Sequence, residues 1–212
     1  MLRCLLLMTI YPWSARSTII IGDSLFWSGS VWGGGRPSPL SQHLETWAGH
    51  PIENHARVGA ALEDGWIKSI PSQFHDLPSD KTIPTLIMDG GGNDLMIHRQ
   101  DCRTLSSECT AQIDRCGGIV ESILQDSKHI TNLVYLGFYY LPEFSPDVID
   151  YANEAFQARC SNQSIVSCWF VDPRSSMQAW HVGNDGVHPT EEGYRILAQQ
   201  VWDTATSHSI VL

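Results

Sequence analysis

Ser24, Asp185 and His188 carry a hydroxyl, a carboxylate and an imidazole, three groups that together can perform acyl transfer. A hydroxyl is a poor nucleophile until a base takes its proton, and an imidazole is a useful base only when an acceptor holds its ring and tautomer. Ser24 lies in Ile21-Gly22-Asp23-Ser24-Leu25, directly after an apolar run, so its hydroxyl is expected to project at the end of a strand. Asp185 and His188 lie in Asp185-Gly186-Val187-His188-Pro189, a spacing that lets both side chains occupy one side of a turn. Alone, each fragment is a weak signal. A serine after Gly-Asp reads most simply as a turn or cap residue, and Asp-x-x-His as a helix cap followed by a surface histidine.

The elements that must position these groups alternate. Apolar, β-rich runs occur at Thr18 to Gly22, Thr85 to Asp89, Asn132 to Gly137 and Ser167 to Asp172, with a weaker one near Pro51 to Asn54. Helical patterns lie between them at Ser38 to Ala48, Ala60 to Ile70, Glu108 to Asp126, Pro146 to Arg159 and Pro189 to Ala205, with Ser38 and Pro39 marking the first helix start. Strands alternating with helices predict an α/β fold whose parallel sheet is covered on both faces. Ligands of such sheets gather at the carboxyl ends of the strands. The junctions Gly22-Asp23-Ser24, Asp89-Gly90-Gly91-Gly92-Asn93 and Gly137-Phe138 all fall there.

Four stretches taken in order sharpen the reading: Gly22-Asp23-Ser24-Leu25, Asn54-His55-Ala56-Arg57-Val58-Gly59, Gly91-Gly92-Asn93-Asp94 and Asp185-Gly186-Val187-His188-Pro189. In this order they resemble the sequence blocks of the SGNH hydrolases, also called GDSL esterases and lipases, and the resemblance runs from Thr18 to about Trp202. It implies a three-layer α/β/α sandwich around a mostly parallel five-stranded, flavodoxin-like sheet. It also implies Ser24 as nucleophile, His188 as general base and then acid, and Asp185 as the group orienting the imidazole. The oxyanion hole it implies consists of the Ser24 and Gly59 backbone amides and the Asn93 side-chain amide. Uncharged, prearranged donors of this kind suit the charge that develops on a tetrahedral intermediate.

The expected activity is hydrolysis of carboxylic esters through an acyl-enzyme, of a lipase, lysophospholipase, thioesterase or broad carboxylesterase kind, with no cofactor and no metal. Carbohydrate O-acetylesterase and acyltransferase activities use the same residues and are the alternatives. A non-catalytic binding module is a third, since fold alone does not fix function. The partner is then a small-molecule, lipid or acylated-saccharide ester. Aromatic residues near the predicted strand ends, Trp27 and Trp32 after the nucleophile and Phe138 and Tyr139 after the fourth strand, are candidates for binding it. Asp23 and Asp94 are expected to organise the turns in which they stand, and Gly33-Gly34-Gly35 lacks the Lys-Ser/Thr ending of a phosphate loop.

A net charge of −10 without a basic stripe argues against a nucleic-acid partner. Residues 1–17 have the basic, apolar and small-residue order of an export signal, leaving one domain over 18–212 in a periplasmic or secreted protein; the alternative is a cytoplasmic enzyme with an N-terminal extension. No later run approaches membrane-spanning length, so no integral anchor is expected. The remaining cysteines are Cys102, Cys109, Cys116, Cys160 and Cys168. Cys109 and Cys116 fall on one helical pattern about 10 Å apart along its axis, beyond disulfide reach. The preferred pairs are Cys102 with Cys109 and Cys160 with Cys168, leaving Cys116 a buried thiol; the alternative is that all five are reduced. Paired Cys-x-x-Cys knuckles and a spaced His pair, the signatures of zinc, are missing.

Overall fold

The computed structural model describes residues 18–27, 39–63 and 69–212. Trp32, the Gly33-Gly34-Gly35 run and the expected export signal over 1–17 lie outside the described residues. Five strands form one parallel sheet: β1 (Thr18–Ile21), β2 (Glu53–Asn54), β3 (Ile83–Met88), β4 (Ile130–Leu136) and β5 (Ser167–Val171), in the spatial order β2-β1-β3-β4-β5. The expected α/β class is therefore the observed one. The chain moves outward from β1 to β2, then returns to place β3 on the other side of β1. That reversal makes the β1/β3 seam the topological switch point, where loops diverge and open a crevice.

Alternation along each strand divides the interior in two. Ile19, Ile21, Leu86, Met88, Leu133 and Tyr135 face one core, which α2 (Ile70–His75), α5 (Ser107–Asp126) and α6 (Pro146–Ser161) close. Ile20, Ile87, Val134 and Leu136 face the other, beneath α1 (Pro39–Ala48) and α7 (Glu191–Ser207). Short helices α3 (Gly92–Ile97) and α4 (Arg99–Cys102) follow β3. The longer helices start where local chemistry says they should. Ser106 accepts the Cys109 N–H at the start of α5, Pro146 occupies the first turn of α6, and Thr190 accepts the Gly193 N–H at the start of α7.

The helix expected over Ala60 to Ile70 is not seen in its described part, and residues 64–68 lie outside the described residues. Residues 60–63 and 69 are not helical, and the helix begins only at Ile70, capped by Ser69 with Pro71 in its first turn. The reason is competition for backbone groups. Asp94 takes the N–H groups of Leu62 and Glu63 at 2.8 Å each, and the Asn93 side chain donates to the Ala60 carbonyl at 2.8 Å, so these groups are committed to distant partners.

Disulfides join Cys102 to Cys109, tying α4 to α5, and Cys160 to Cys168, tying α6 to β5; Cys116 is a buried free thiol. Closing loops this short stabilises the fold by ~2–3 kcal/mol each on a chain-entropy account. Among the described residues, no helix is long and apolar enough to cross a membrane.

Candidate active site

The site is built first on the turn after β1. Gly22 has φ +143°, and a Cβ there would stand 1.9 Å from Asp89 Oδ1, so the position excludes any side chain. Buried Gln73 clasps Gly22 from both sides: the Gly22 N–H donates to Gln73 Oε1 at 2.8 Å, and Gln73 Nε2 donates to the Gly22 carbonyl at 2.9 Å. Next, the Asp23 N–H donates to Asp89 Oδ1 at 2.8 Å, while Asp23 Oδ1 accepts the Leu25 N–H at 2.9 Å. With its neighbours anchored, Ser24 is displayed half-buried at the top of the switch point.

The second half comes from the loop that leads into α7. Asp185 Oδ1 accepts the N–H groups of Val187 and His188 at 3.0 and 2.9 Å, which folds the loop around the carboxylate. A short antiparallel bridge between Val182 and Pro189, with the Gly183 N–H donating to the His188 carbonyl at 2.7 Å, closes its base. His188 Nδ1 then lies 2.7 Å from Asp185 Oδ2, and its Nε2 lies 2.9 Å from Ser24 Oγ. Partial desolvation pulls the Asp185 carboxyl upward, but the hydrogen bonds from Val187 and from the His188 ring and N–H outweigh it and hold it at about 2. Asp185 is thus an acceptor across the working range. Nδ1 must carry the proton, leaving Nε2 free to accept from the Ser24 hydroxyl.

Tyr139 braces this loop from outside. Its buried hydroxyl donates to the Val187 carbonyl at 2.5 Å, one residue before His188. Its own segment is held by Asn153, which accepts the Phe138 N–H and donates to the Phe138 carbonyl, both at 2.8 Å. The segment after β4 is therefore a fixed wall. Tyr139→Phe removes one strut and leaves an unpaired carbonyl; kcat should fall about 5- to 20-fold with KM little changed, as for one lost buried hydrogen bond. Steady-state kinetics on the variant check this, and a change confined to KM would assign Tyr139 to substrate contact alone.

Of the expected oxyanion donors, Ser24 and Asn93 line one pocket, and the loop that leads to Gly59 is tied to the end of β1. The His55 and Arg57 N–H groups donate to the Ile20 and Gly22 carbonyls at 2.8 and 3.0 Å, which stitches the loop carrying Gly59 to the end of β1. Gly59 has φ +72°. Among the described residues, neither the Ser24 N–H nor the Gly59 N–H donates to a protein acceptor. Asn93 stands on the first turn of α3; its Nδ2 donates to the Ala60 carbonyl at 2.8 Å and, more weakly, to Asp23 Oδ2 at 3.3 Å. Asp23 organises its own turn as expected. Asp94 instead reaches across to Leu62 and Glu63, so it shapes the neighbouring loop and not the turn beside Asn93.

A cavity of about 530 Å³, counting its open mouth, adjoins Ser24 and Asn93. Its apolar wall consists of Leu25, Met96, Leu136, Phe138, Tyr139 and Leu141. Of the aromatic residues expected at the substrate, Phe138 and Tyr139 line it. Trp27 does not; it packs against the core beneath α1 and α7. Its direction is set by the tight turn, in which the Trp27 N–H returns to the Asp23 carbonyl at 3.1 Å. Sequence reasoning also missed Met96, Gln73 and Asp89 as site residues. Asp89 stands in a strand-end junction that the sequence marks, whereas nothing local distinguishes Gln73 from any other polar helix residue.

The sequence matches the GDSL-like lipase/acylhydrolase family over residues 19–201. No curated protein matches it. Among solved structures, TesA superposes with a TM-score of 0.62 at 16% identity, covering 91% of this chain and 99% of that one. A lipase/acylhydrolase from Enterococcus faecalis gives 0.66 at 15% identity, with 91% and 97% covered. A carbohydrate esterase family 3 protein from Talaromyces cellulolyticus gives 0.63 at 13% identity, with 91% and 98% covered. At such identities the likeness establishes the shared fold.

Proposed function

Because the chain belongs to the GDSL-like lipase/acylhydrolase family, we propose that it is a serine esterase that hydrolyses carboxylic esters through an acyl-enzyme at Ser24. The observation that carries this reading is the continuous relay from Ser24 Oγ to His188 Nε2 at 2.9 Å and from His188 Nδ1 to Asp185 Oδ2 at 2.7 Å. As Ser24 attacks the ester carbonyl, its proton passes to His188 Nε2, and the imidazolium formed is stabilised by ionised Asp185. Negative charge collects on the former carbonyl oxygen, where the amides of Ser24, Gly59 and Asn93 can receive it. His188 then protonates the departing alkoxide. Water repeats the sequence with His188 again as base, releasing the acid and restoring Ser24.

The apolar wall supports the acyl group as the part of the substrate that enters the cavity, since Met96, Phe138 and Leu141 offer no polar partners to a sugar ring. The experiment is hydrolysis of p-nitrophenyl acetate, butyrate, octanoate and palmitate. An optimum at butyrate to octanoate is expected. An acetate optimum together with deacetylation of an acetylated saccharide would move the assignment to carbohydrate O-acetylesterase. That second reading draws support from Trp180, 72% exposed on the short turn (Ala179–His181) leading to the Asp185 loop, because an exposed indole is a ready platform for a sugar face. The two disulfides are compatible with an oxidising compartment and support export.

A further inference from the structure

Asp89 and Asp23 form a buried pair of carboxyl groups beneath the nucleophile turn, exposed only 2% and 5%. Their support is unequal. Asp23 accepts two donors, the Leu25 N–H at 2.9 Å through Oδ1 and the Asn93 amide at 3.3 Å through Oδ2. Asp89 Oδ1 accepts the Asp23 N–H at 2.8 Å, while its Oδ2 is buried without a hydrogen-bond partner among the described residues. An ionised carboxylate in that state would leave a charged oxygen without a donor, and a second charge would lie against it at Asp23. The other titratable groups that bear on the pair are Asp94, His188 and Tyr135, with Tyr139 and Tyr194 beyond; none is a permanent cation. The bond from the Asp23 N–H to Asp89 Oδ1 brings the two residues together, and each carboxyl alters the other's affinity for protons.

We propose that Asp89 is a neutral carboxylic acid that donates its proton to the Asp23 carboxylate, and that it serves as a positioning residue for the Ser24 turn and the Asn93 amide. The proton accounts for the otherwise orphaned oxygen and leaves one negative charge on the pair, held where it has most donors. Burial raises the affinity of both carboxyls for protons, and more strongly at Asp89, whose neighbour Asp23 adds to the effect. Asp89 thereby acts at both ends: its carbonyl oxygen receives the Asp23 N–H, and its hydroxyl fixes the carboxylate that orders Leu25 and Asn93. Any role in turnover rests on the reading of Ser24 as nucleophile; the protonation state does not.

The test compares wild type with Asp89→Asn and Asp89→Leu. Asparagine keeps a carbonyl for the Asp23 N–H and a neutral donor for the Asp23 carboxylate, so kcat should stay within about 3-fold of wild type. Leucine removes both bonds, and kcat should fall about 10- to 100-fold with KM little changed. Infrared difference spectra at neutral pH should show the carbonyl stretch of a protonated carboxylic acid in wild type and its loss in Asp89→Asn. No such band in wild type would overturn the proposal whatever the kinetics. An Asn variant that is folded and as impaired as the Leu variant would overturn it too, because a carboxylate would then be required. Should the Leu variant fail to fold, the Asn variant and the spectra still decide. Wild type without ester hydrolysis would count against the esterase reading alone, and the infrared band would remain the arbiter of the protonation state.

Discussion

Ser24→Ala is expected to lower kcat for ester hydrolysis by about four to six orders of magnitude, while the folded structure and substrate binding persist. The magnitude follows from the removal of the covalent route. Without Oγ, His188 has no hydroxyl to deprotonate, and the ester must wait for a water that the site is not built to orient. The proposed oxyanion donors remain in the variant, so a residual rate above that of water is expected. Ser24 is half-buried and, among the described residues, bonded through its hydroxyl to His188 alone, so loss of the oxygen costs little stability. Kinetics with p-nitrophenyl butyrate, beside a thermal melt of the variant, check both halves. A variant retaining even a tenth of wild-type activity would remove Ser24 from the role of nucleophile.

Asn93→Ala should lower kcat about 10²- to 10³-fold, equivalent to about 3–4 kcal/mol of transition-state stabilisation, with KM changed only a few-fold. In the proposed mechanism the amide donates to the developing oxyanion, and such a donor matters more to the charged transition state than to the neutral ester. In the resting site Nδ2 already serves the Ala60 carbonyl at 2.8 Å and Asp23 Oδ2 at 3.3 Å. The longer bond is the one an oxyanion can draw away. Truncation also leaves the Ala60 carbonyl without its donor, so a small loss of stability should accompany the kinetic one. A kcat within 3-fold of wild type would mean that Ser24 and Gly59 carry the oxyanion unaided.

The contrast between Asn93 and its neighbour Asp94 shows where local reading stops. Both stand at a strand-end junction that the glycines make visible in sequence. Asn93 turns toward the Ser24 turn, and Asp94 turns away to stitch the Leu62 and Glu63 backbone, which keeps these two residues out of the helix that the periodicity of Ala60 to Ile70 predicts. Periodicity reports which residues seek the interior; it does not report which backbone groups a distant carboxylate will claim.

The sequence by itself determined the strand runs, because β-branched apolar residues between turn-forming ones have few other structures open to them. It also determined the helix start at Pro146, that of the last helix to within two residues of Pro189, and the kinds of reactive group available at the strand ends. The local loop that places Asp185 against His188 is encoded within a few residues, since three short bonds to one carboxylate fold it. Tertiary structure alone decided the rest. Ser24 meets His188 across 164 residues, Asp89 reaches the Asp23 N–H across 66, and Tyr139 braces Val187 across 48. Such contacts depend on strand order and on the faces that helices bury. Those are settled by the packing of two whole cores against one twisted sheet, and no short stretch of chain contains that information.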